Sequence, residues 1–217
     1  ANTRINQIVS NINNLDSGFI RIGTVQSIAY NWLPGVLKNF SAEYPNITFR
    51  LYVDGFQNLT EKLHKKELDC IFVSQYVAKD FPNLPVGTDE LVLVTSLDHP
   101  LADQLTVSFD GQDFVLSADD FDYETGKLFR LNHITPNVRF RINEDYTAIK
   151  MVEQGFGITV LPKLLLHNIP FNVCVRSFTE HFRRNLSVAY LDTPELSPAL
   201  DKFLTFVTKW AKECKLI

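Results

Sequence analysis

Positive charge is not in excess in this sequence. Its 217 residues carry 21 Lys and Arg against 25 Asp and Glu, a formal net charge of −4. A nucleic-acid-binding module shows a basic stripe, and none is visible here, so these residues are not expected to grip DNA or RNA themselves. Long apolar runs are missing as well. None approaches the roughly 18 residues that cross a bilayer, and ANTRINQIVS at the N-terminus has no signal-peptide core. Cysteine is scarce: Cys70, Cys174 and Cys214 are odd in number, far apart and set in apolar contexts. That predicts three buried thiols in a reducing cytosol rather than a disulfide framework. Catalytic signatures are lacking too. His64, His99, His133, His167 and His181 are scattered without HExxH or other metal spacing, and no GxSxG or Walker sequence occurs. Cys70 has no nearby histidine to activate it. The chain therefore reads as no enzyme, with no metal and no cofactor.

What is present is a folded chain, 45% hydrophobic with mixed charges, long enough for one large domain or two small ones. Its clearest stretch is NEDYTAIKMVEQGFGITVLP, Asn143 to Pro162. Ala148, Met151, Val152 and Phe156 recur at helical spacing and predict an inward face. Gly155 and Gly157 bracket the exit, where positive φ is tolerated. Ile158 to Leu161 then form a short buried strand ended by Pro162. Asn143, Glu144 and Asp145 stand at the helix N-terminus, where unbonded N–H groups point outward. In an open α/β sheet that mouth takes small ligands; the plain alternative is a first turn that complements the helix dipole.

In chain order, Ile5, Ile8, Ile12 and Leu15 form an a/d seam of about two heptads, broken by Asp16-Ser17-Gly18. Phe19–Thr24 is a strand. A helix follows from Gln26, burying Leu33, Val36, Leu37 and Phe40, until Tyr44-Pro45 stops it. Ile47, Phe49, Leu51 and Val53 alternate as a second strand. A helix through Leu59 and Leu63 leads to a third strand, Cys70–Ser74. This β-α-β-α-β order forces parallel strands and right-handed crossovers. Further strands are expected at Leu91–Ser96, Phe114–Ser117, Val138–Ile142, Val173–Arg176 and Leu186–Leu191, with a helix around Gly126–Leu131. Ser197-Pro198 caps a last helix with Leu200, Phe203, Leu204, Val207, Trp210 and Cys214 on one face. The expected architecture is α/β: two Rossmann-like lobes joined by two crossover strands, 17–92 plus 192–217 and 93–191, preceded at 1–16 by a short helix that packs on a partner, ends a longer helix or frays. Two such lobes leave a cleft and permit hinge closure on a ligand.

Gly18–Leu51 (GFIRIGTVQSIAYNWLPGVLKNFSAEYPNITFRL), Lys65–Val73 (KKELDCIFV), Leu91–Ala102 (LVLVTSLDHPLA) and Ala148–Leu166 (AIKMVEQGFGITVLPKLLL), in this order, together resemble the effector-binding domain of LysR-type transcriptional regulators. The resemblance implies the type 2 periplasmic-binding-protein fold, 1–16 as the end of a linker helix, a cytoplasmic homodimer or higher homo-oligomer, no membrane, and DNA binding only through a winged helix-turn-helix outside these residues. It also implies a small-molecule effector between the lobes. Carried over, the candidates are Val25, Gln26 and Ser27 after the first strand, Phe56, Gln57 and Asn58 after the second, Ser117 and Ala118 after FVLS, and Asn143, Glu144 and Asp145. Ser27 and Gln57 are the leading pair, although Ser27 could equally be a helix N-cap. The set holds no Arg or Lys, which favours a neutral, zwitterionic or singly charged effector; Arg139 and Arg141 enter only if strand alternation points them inward. The competing classes are a free-standing extracytoplasmic solute-binding protein of the same fold, and a dimerisation domain with a vestigial cleft.

Overall fold

The computed structural model describes residues 17–103, 110–117, 124–193 and 196–214. The heptad seam at 1–16 and the loop residue Ala118 lie outside them. The chain divides into two compact units, Ala1–Gly87 with Leu186–Ile217, and Thr88–Asn185.

In the first unit, strand β1 (Ser17–Thr24) pairs in parallel with β2 (Asn46–Val53) along its whole length, and with β3 (Cys70–Ser74) from Ile22 to Thr24. Helices α1 (Gln26–Asn31), α2 (Leu33–Glu43) and α3 (Phe56–His64) link them, and the short α4 (Gln75–Ala78) follows β3. The expected parallel β-α-β-α-β unit is present. Its first crossover differs in one respect: the single helix anticipated from Gln26 is broken at Trp32, which caps both α1 and α2. Pro34 accounts for the break. It has no N–H to donate, and its ring collides with the carbonyl four residues back.

Strand β3 pairs antiparallel with the end of a long strand β8 (Val173–Tyr190), from Cys70↔Tyr190 to Ser74↔Leu186. Two separate strands were expected where β8 runs unbroken. Strand β4 (Asn83–Ser96) also begins earlier than expected. The closing helix α7 (Pro198–Glu213) starts as predicted, the Ser197 hydroxyl accepting the Leu200 N–H. Its inner face meets α2 in an aromatic cluster. The wholly buried Phe40 stands edge-on to Phe203 at 5.2 Å and to Phe206 at 5.2 Å, with Phe49 and Tyr44 beside it.

The expected second strand is present as β2, with Leu51 and Val53 45% and 55% exposed at the sheet edge. The expectation of three buried thiols fails on exposure. Cys214 caps the end of α7 in solvent, and Cys174 is only half-buried, so just Cys70 is a buried thiol. Burial drives the Cys70 thiol far above its ordinary range, because desolvation disfavours the thiolate. A thiol-reactive reagent is therefore expected to label Cys214 first and Cys70 only on unfolding; mass spectrometry of the labelled native protein checks this.

The second unit contains β5 (Asp113–Ser117), α5 (Glu124–Leu131), β6 (Asn137–Ile142), α6 (Asp145–Glu153), β7 (Thr159–Pro162) and a 3₁₀ turn at Lys163–Leu166. β5 and β6 are parallel, and β4 pairs antiparallel with β7. Neighbouring strand residues feed two separate cores. Leu91, Leu93, Phe114 and Leu116 pack with Leu128 and Phe129 of α5, whereas Val94 and Val115 pack with Ala148, Ile149 and Val152 of α6. Strands buried on both faces, with helices covering each, are the α/β arrangement the apolar runs implied.

Phe156 does not join the buried face of α6. That helix ends at Glu153, Gly155 turns the chain at φ +79°, and Phe156 lies 47% exposed with its ring edge-on to Phe140. Gly157, at φ +138°, is required by space as well as conformation, since a Cβ there would sit 2.4 Å from the Asp113 carbonyl oxygen. Gly157→Ala is expected to destabilise the protein by about 1–3 kcal/mol, measured by chemical denaturation; Gly111→Ala, also at positive φ but with no atom in reach, isolates the conformational part.

Candidate functional site

In the first unit the candidate residues follow strand ends. β1 and β2 finish side by side, with Thr24 paired to Val53, and the Asp54 N–H donates to the Thr24 carbonyl at 3.2 Å. Helices α1 and α3 start at this edge. Neither has a side-chain cap: their N-caps are Val25 and Gly55, both extended. The first amides bonded within the helices are those of Ala29, to the Val25 carbonyl, and Leu59, to the Gly55 carbonyl. The preceding first-turn N–H groups have no acceptor inside their helix.

Ser27 is 3% exposed and sits in the first turn of α1, two residues past the N-cap. The alternative that made Ser27 the cap is thereby removed. Gln26 is half-buried beside it. At α3, Phe56 turns its ring into the core at 3% exposure, while Gln57 and Asn58 are exposed. Asn58 donates to Asp54 Oδ1 at 2.9 Å, and the Gln57 amide reaches Glu61 at 3.3 Å.

In the second unit Ser117 is the last residue of β5, 8% exposed and paired in register with Ile142, the last residue of β6. Asn143 follows, exposed, so Ser117 and Asn143 share one strand-end edge. Glu144 is the N-cap of α6. Its carboxylate accepts the Tyr146 N–H at 3.0 Å and the Thr147 N–H at 2.7 Å, together with the Thr147 hydroxyl at 2.7 Å. With Asp145 in the first turn, this is the dipole-complementing arrangement. A ligand anion would have to compete with Glu144 for those amides.

Arg139 and Arg141 are exposed. Arg139 pairs with Asp113 at 2.9 Å, at the opposite end of β5 from Ser117, and with Asn137 holds that carboxyl below the usual range. The cation that sequence reasoning missed is Arg184. Its side chain is 3% exposed and pairs with Asp89 at 2.7 Å and Glu124 at 3.5 Å. No local signal marked it, because its burial depends on Asp89 and Glu124, both far away in the chain.

A cavity of about 520 Å³ in the first unit opens along α7 between Leu84, Tyr190, Leu204 and Lys212; no candidate residue lines it. Among the described residues no group of three His, Cys, Asp or Glu could hold a metal ion, and no helix is long and apolar enough to cross a membrane.

Comparison with known proteins agrees with this fold. The family model for the LysR substrate binding domain matches residues 13–212. The chain is 27% identical over 198 residues to the uncharacterized HTH-type transcriptional regulator YybE of Bacillus subtilis, covering 88% of this chain and 68% of that protein. Among solved structures it is similar to the effector binding domain of QuiR in complex with shikimate, at TM-score 0.82 and 25% identity, over 91% of this chain and 98% of that one. It also shares the fold of the Synechocystis PCC6803 CcmR regulatory domain, solved with 2-PG, at TM-score 0.80 and 21% identity, over 90% and 98%. The α/β fold is of the type 2 periplasmic-binding-protein kind, and the chain belongs to the LysR substrate-binding domain family, the regulatory effector-binding domain of LysR-type transcriptional regulators.

Proposed function

We propose that this domain binds a small metabolite at the strand-end candidate residues, and that binding shifts an equilibrium between conformations read out by the DNA-binding region of a LysR-type regulator. The observation that carries the site is the shared strand-end edge of β1 and β2, where α1 and α3 begin and Ser27 is buried. Their first-turn amides and the Ser27 hydroxyl suit a carboxylate or amide oxygen. Val25, Gln26, Gln57 and Asn58 complete the first-unit contacts, with Phe56 contributing backbone only. Ser117 and Asn143 are the second unit's polar candidates, with Glu144 and Asp145 following Asn143. Because Glu144 already holds the α6 amides and no candidate is cationic, the effector is neutral, zwitterionic or singly charged. QuiR's domain, similar in fold and extent, is in complex with shikimate, which supports a small polar ligand. The working assembly is a cytoplasmic homodimer or higher oligomer that acts as a sensor and not as an enzyme.

The test is a thermal-shift screen of the domain against amino acids, short and aromatic carboxylic acids and nucleosides. A ligand at 100 times its dissociation constant should stabilise by about 2.7 kcal/mol. The shift should be lost in Ser27→Ala and reduced in Ser117→Ala. A hit unaffected by either substitution would overturn the site. No hit from a broad library, with the protein folded, would favour a dimerisation domain with a vestigial cleft.

A further inference from the structure

The cavity along α7 is built entirely from residues of the first unit, and none of them belongs to the strand-end candidates. Its volume of about 520 Å³ falls within the range of small-molecule pockets, about 300–1,000 Å³. Leu84 lies near the start of β4 and Tyr190 ends β8; the Tyr190 N–H donates to the Pro82 carbonyl at 3.0 Å, which ties these two chain segments together. Leu196, just before the N-cap Ser197, and Leu204 of α7 add further apolar lining. Leu84, Tyr190 and Leu196 are each only half-buried, so apolar surface at the cavity is left uncovered by the rest of the unit.

The charges on the lining are unevenly used. Lys209 and Glu213 pair with each other at 3.8 Å. Asp201 stands in the first turn of α7, where the helix dipole offsets its charge. Lys212 stands in the last turn, and among the described residues no carboxylate pairs with it. At the helical rise of 1.5 Å per residue, Asp201 and Lys212 lie roughly 16 Å apart along the axis. A small zwitterion cannot bridge that distance, whereas an eight-carbon acid can place its carboxylate at Lys212 and stay clear of Asp201. We propose that the α7 cavity is a second ligand site, for a monocarboxylate with an apolar body. The body lies against Leu84, Tyr190, Leu196 and Leu204, and the carboxylate meets the Lys212 ammonium. The negative end of the helix dipole lies at the same place, so the anion depends on that ammonium. This site goes beyond the polar effector proposed for the strand-end edge and does not rest on it.

The test titrates the isotope-labelled domain with octanoate, octanol and octylamine and follows the amide shifts. Octanoate should give saturable shifts at Leu84, Tyr190, Leu204 and Thr208. Lys212→Met should weaken octanoate by about tenfold, the loss of one charge-assisted contact, and leave octanol unchanged. Thr208→Phe, which places a ring at a lining position, should weaken both. Ser27→Ala should alter neither, which separates this site from the strand-end edge. Tighter binding of octylamine than of octanoate, equal octanoate affinity in Lys212→Met, or no saturable shift along α7 overturns the proposal. So do octanoate shifts confined to Gln26 and Ser27, which would assign the acid to the strand-end site. If Thr208→Phe does not fold, Lys212→Met, at an exposed position, decides alone.

Discussion

Arg184→Met is expected to lower the unfolding free energy by about 3–5 kcal/mol, because it leaves Asp89 and Glu124 buried without their shared cation. The side chain is 3% exposed, so water cannot replace the lost partner as it would at the surface pairs, such as Lys209 with Glu213. Against a typical total of about 5–15 kcal/mol, the loss would bring the domain close to its threshold. Denaturant titration should show a lower midpoint with an unchanged slope. Adding Asp89→Leu to Arg184→Met should recover part of the loss by removing one stranded charge. Recovery stays incomplete, since the Glu90 and Leu164 amides lose their acceptor and Glu124 remains. Lys209→Met, at an exposed pair, should change stability by less than about 1 kcal/mol.

Phe40→Ala is expected to have an effect of similar size, about 3–5 kcal/mol, for a different reason. Phe40 is wholly buried where α2 meets α7, with ring centroids of Tyr44, Phe49, Phe203 and Phe206 between 4.8 and 5.7 Å away. These partners come from α2's own end, β2 and α7, so no single element can move to close the void. The loss should be the same at low and high salt, whereas the surface ion pairs weaken as salt screens them. Phe40→Leu, which refills much of the volume, should lie well below Phe40→Ala in the same denaturation series.

The parallel first unit was legible because its strands and helices carry clean periods. Phe19–Thr24 and Cys70–Ser74 are short apolar runs between turn residues, and Leu33, Val36 and Phe40 recur at helical spacing; all three of the latter are buried. What escaped was whatever depends on partners distant in sequence. The unbroken β8 could not be read, because its middle is polar and its buried Arg184 makes sense only with Asp89 and Glu124 in place. Exposure at Leu51 and Val53 follows from β2 being an edge strand, which sheet order decides and local pattern does not. Phe156 and Cys214 kept helical spacing on paper, yet each lies past the point where its helix stops. The place of Ser27, just after a strand, was legible. Whether it capped the helix was not, because Val25 could be recognised as the N-cap only from backbone angles. Glu144 was legible as a charge at an N-terminus, but its two amide bonds, which settle what it does there, were not.

The central claim is that a small-molecule effector binds at the strand-end residues around Ser27, and amide chemical-shift mapping tests it most directly. The isotope-labelled domain is titrated with the best ligand from the thermal-shift screen. The account predicts saturable shifts at Gln26, Ser27, Gln57 and Asn58. No shift at these residues, or shifts centred instead on the α7 cavity around Leu204 and Lys212, would contradict it.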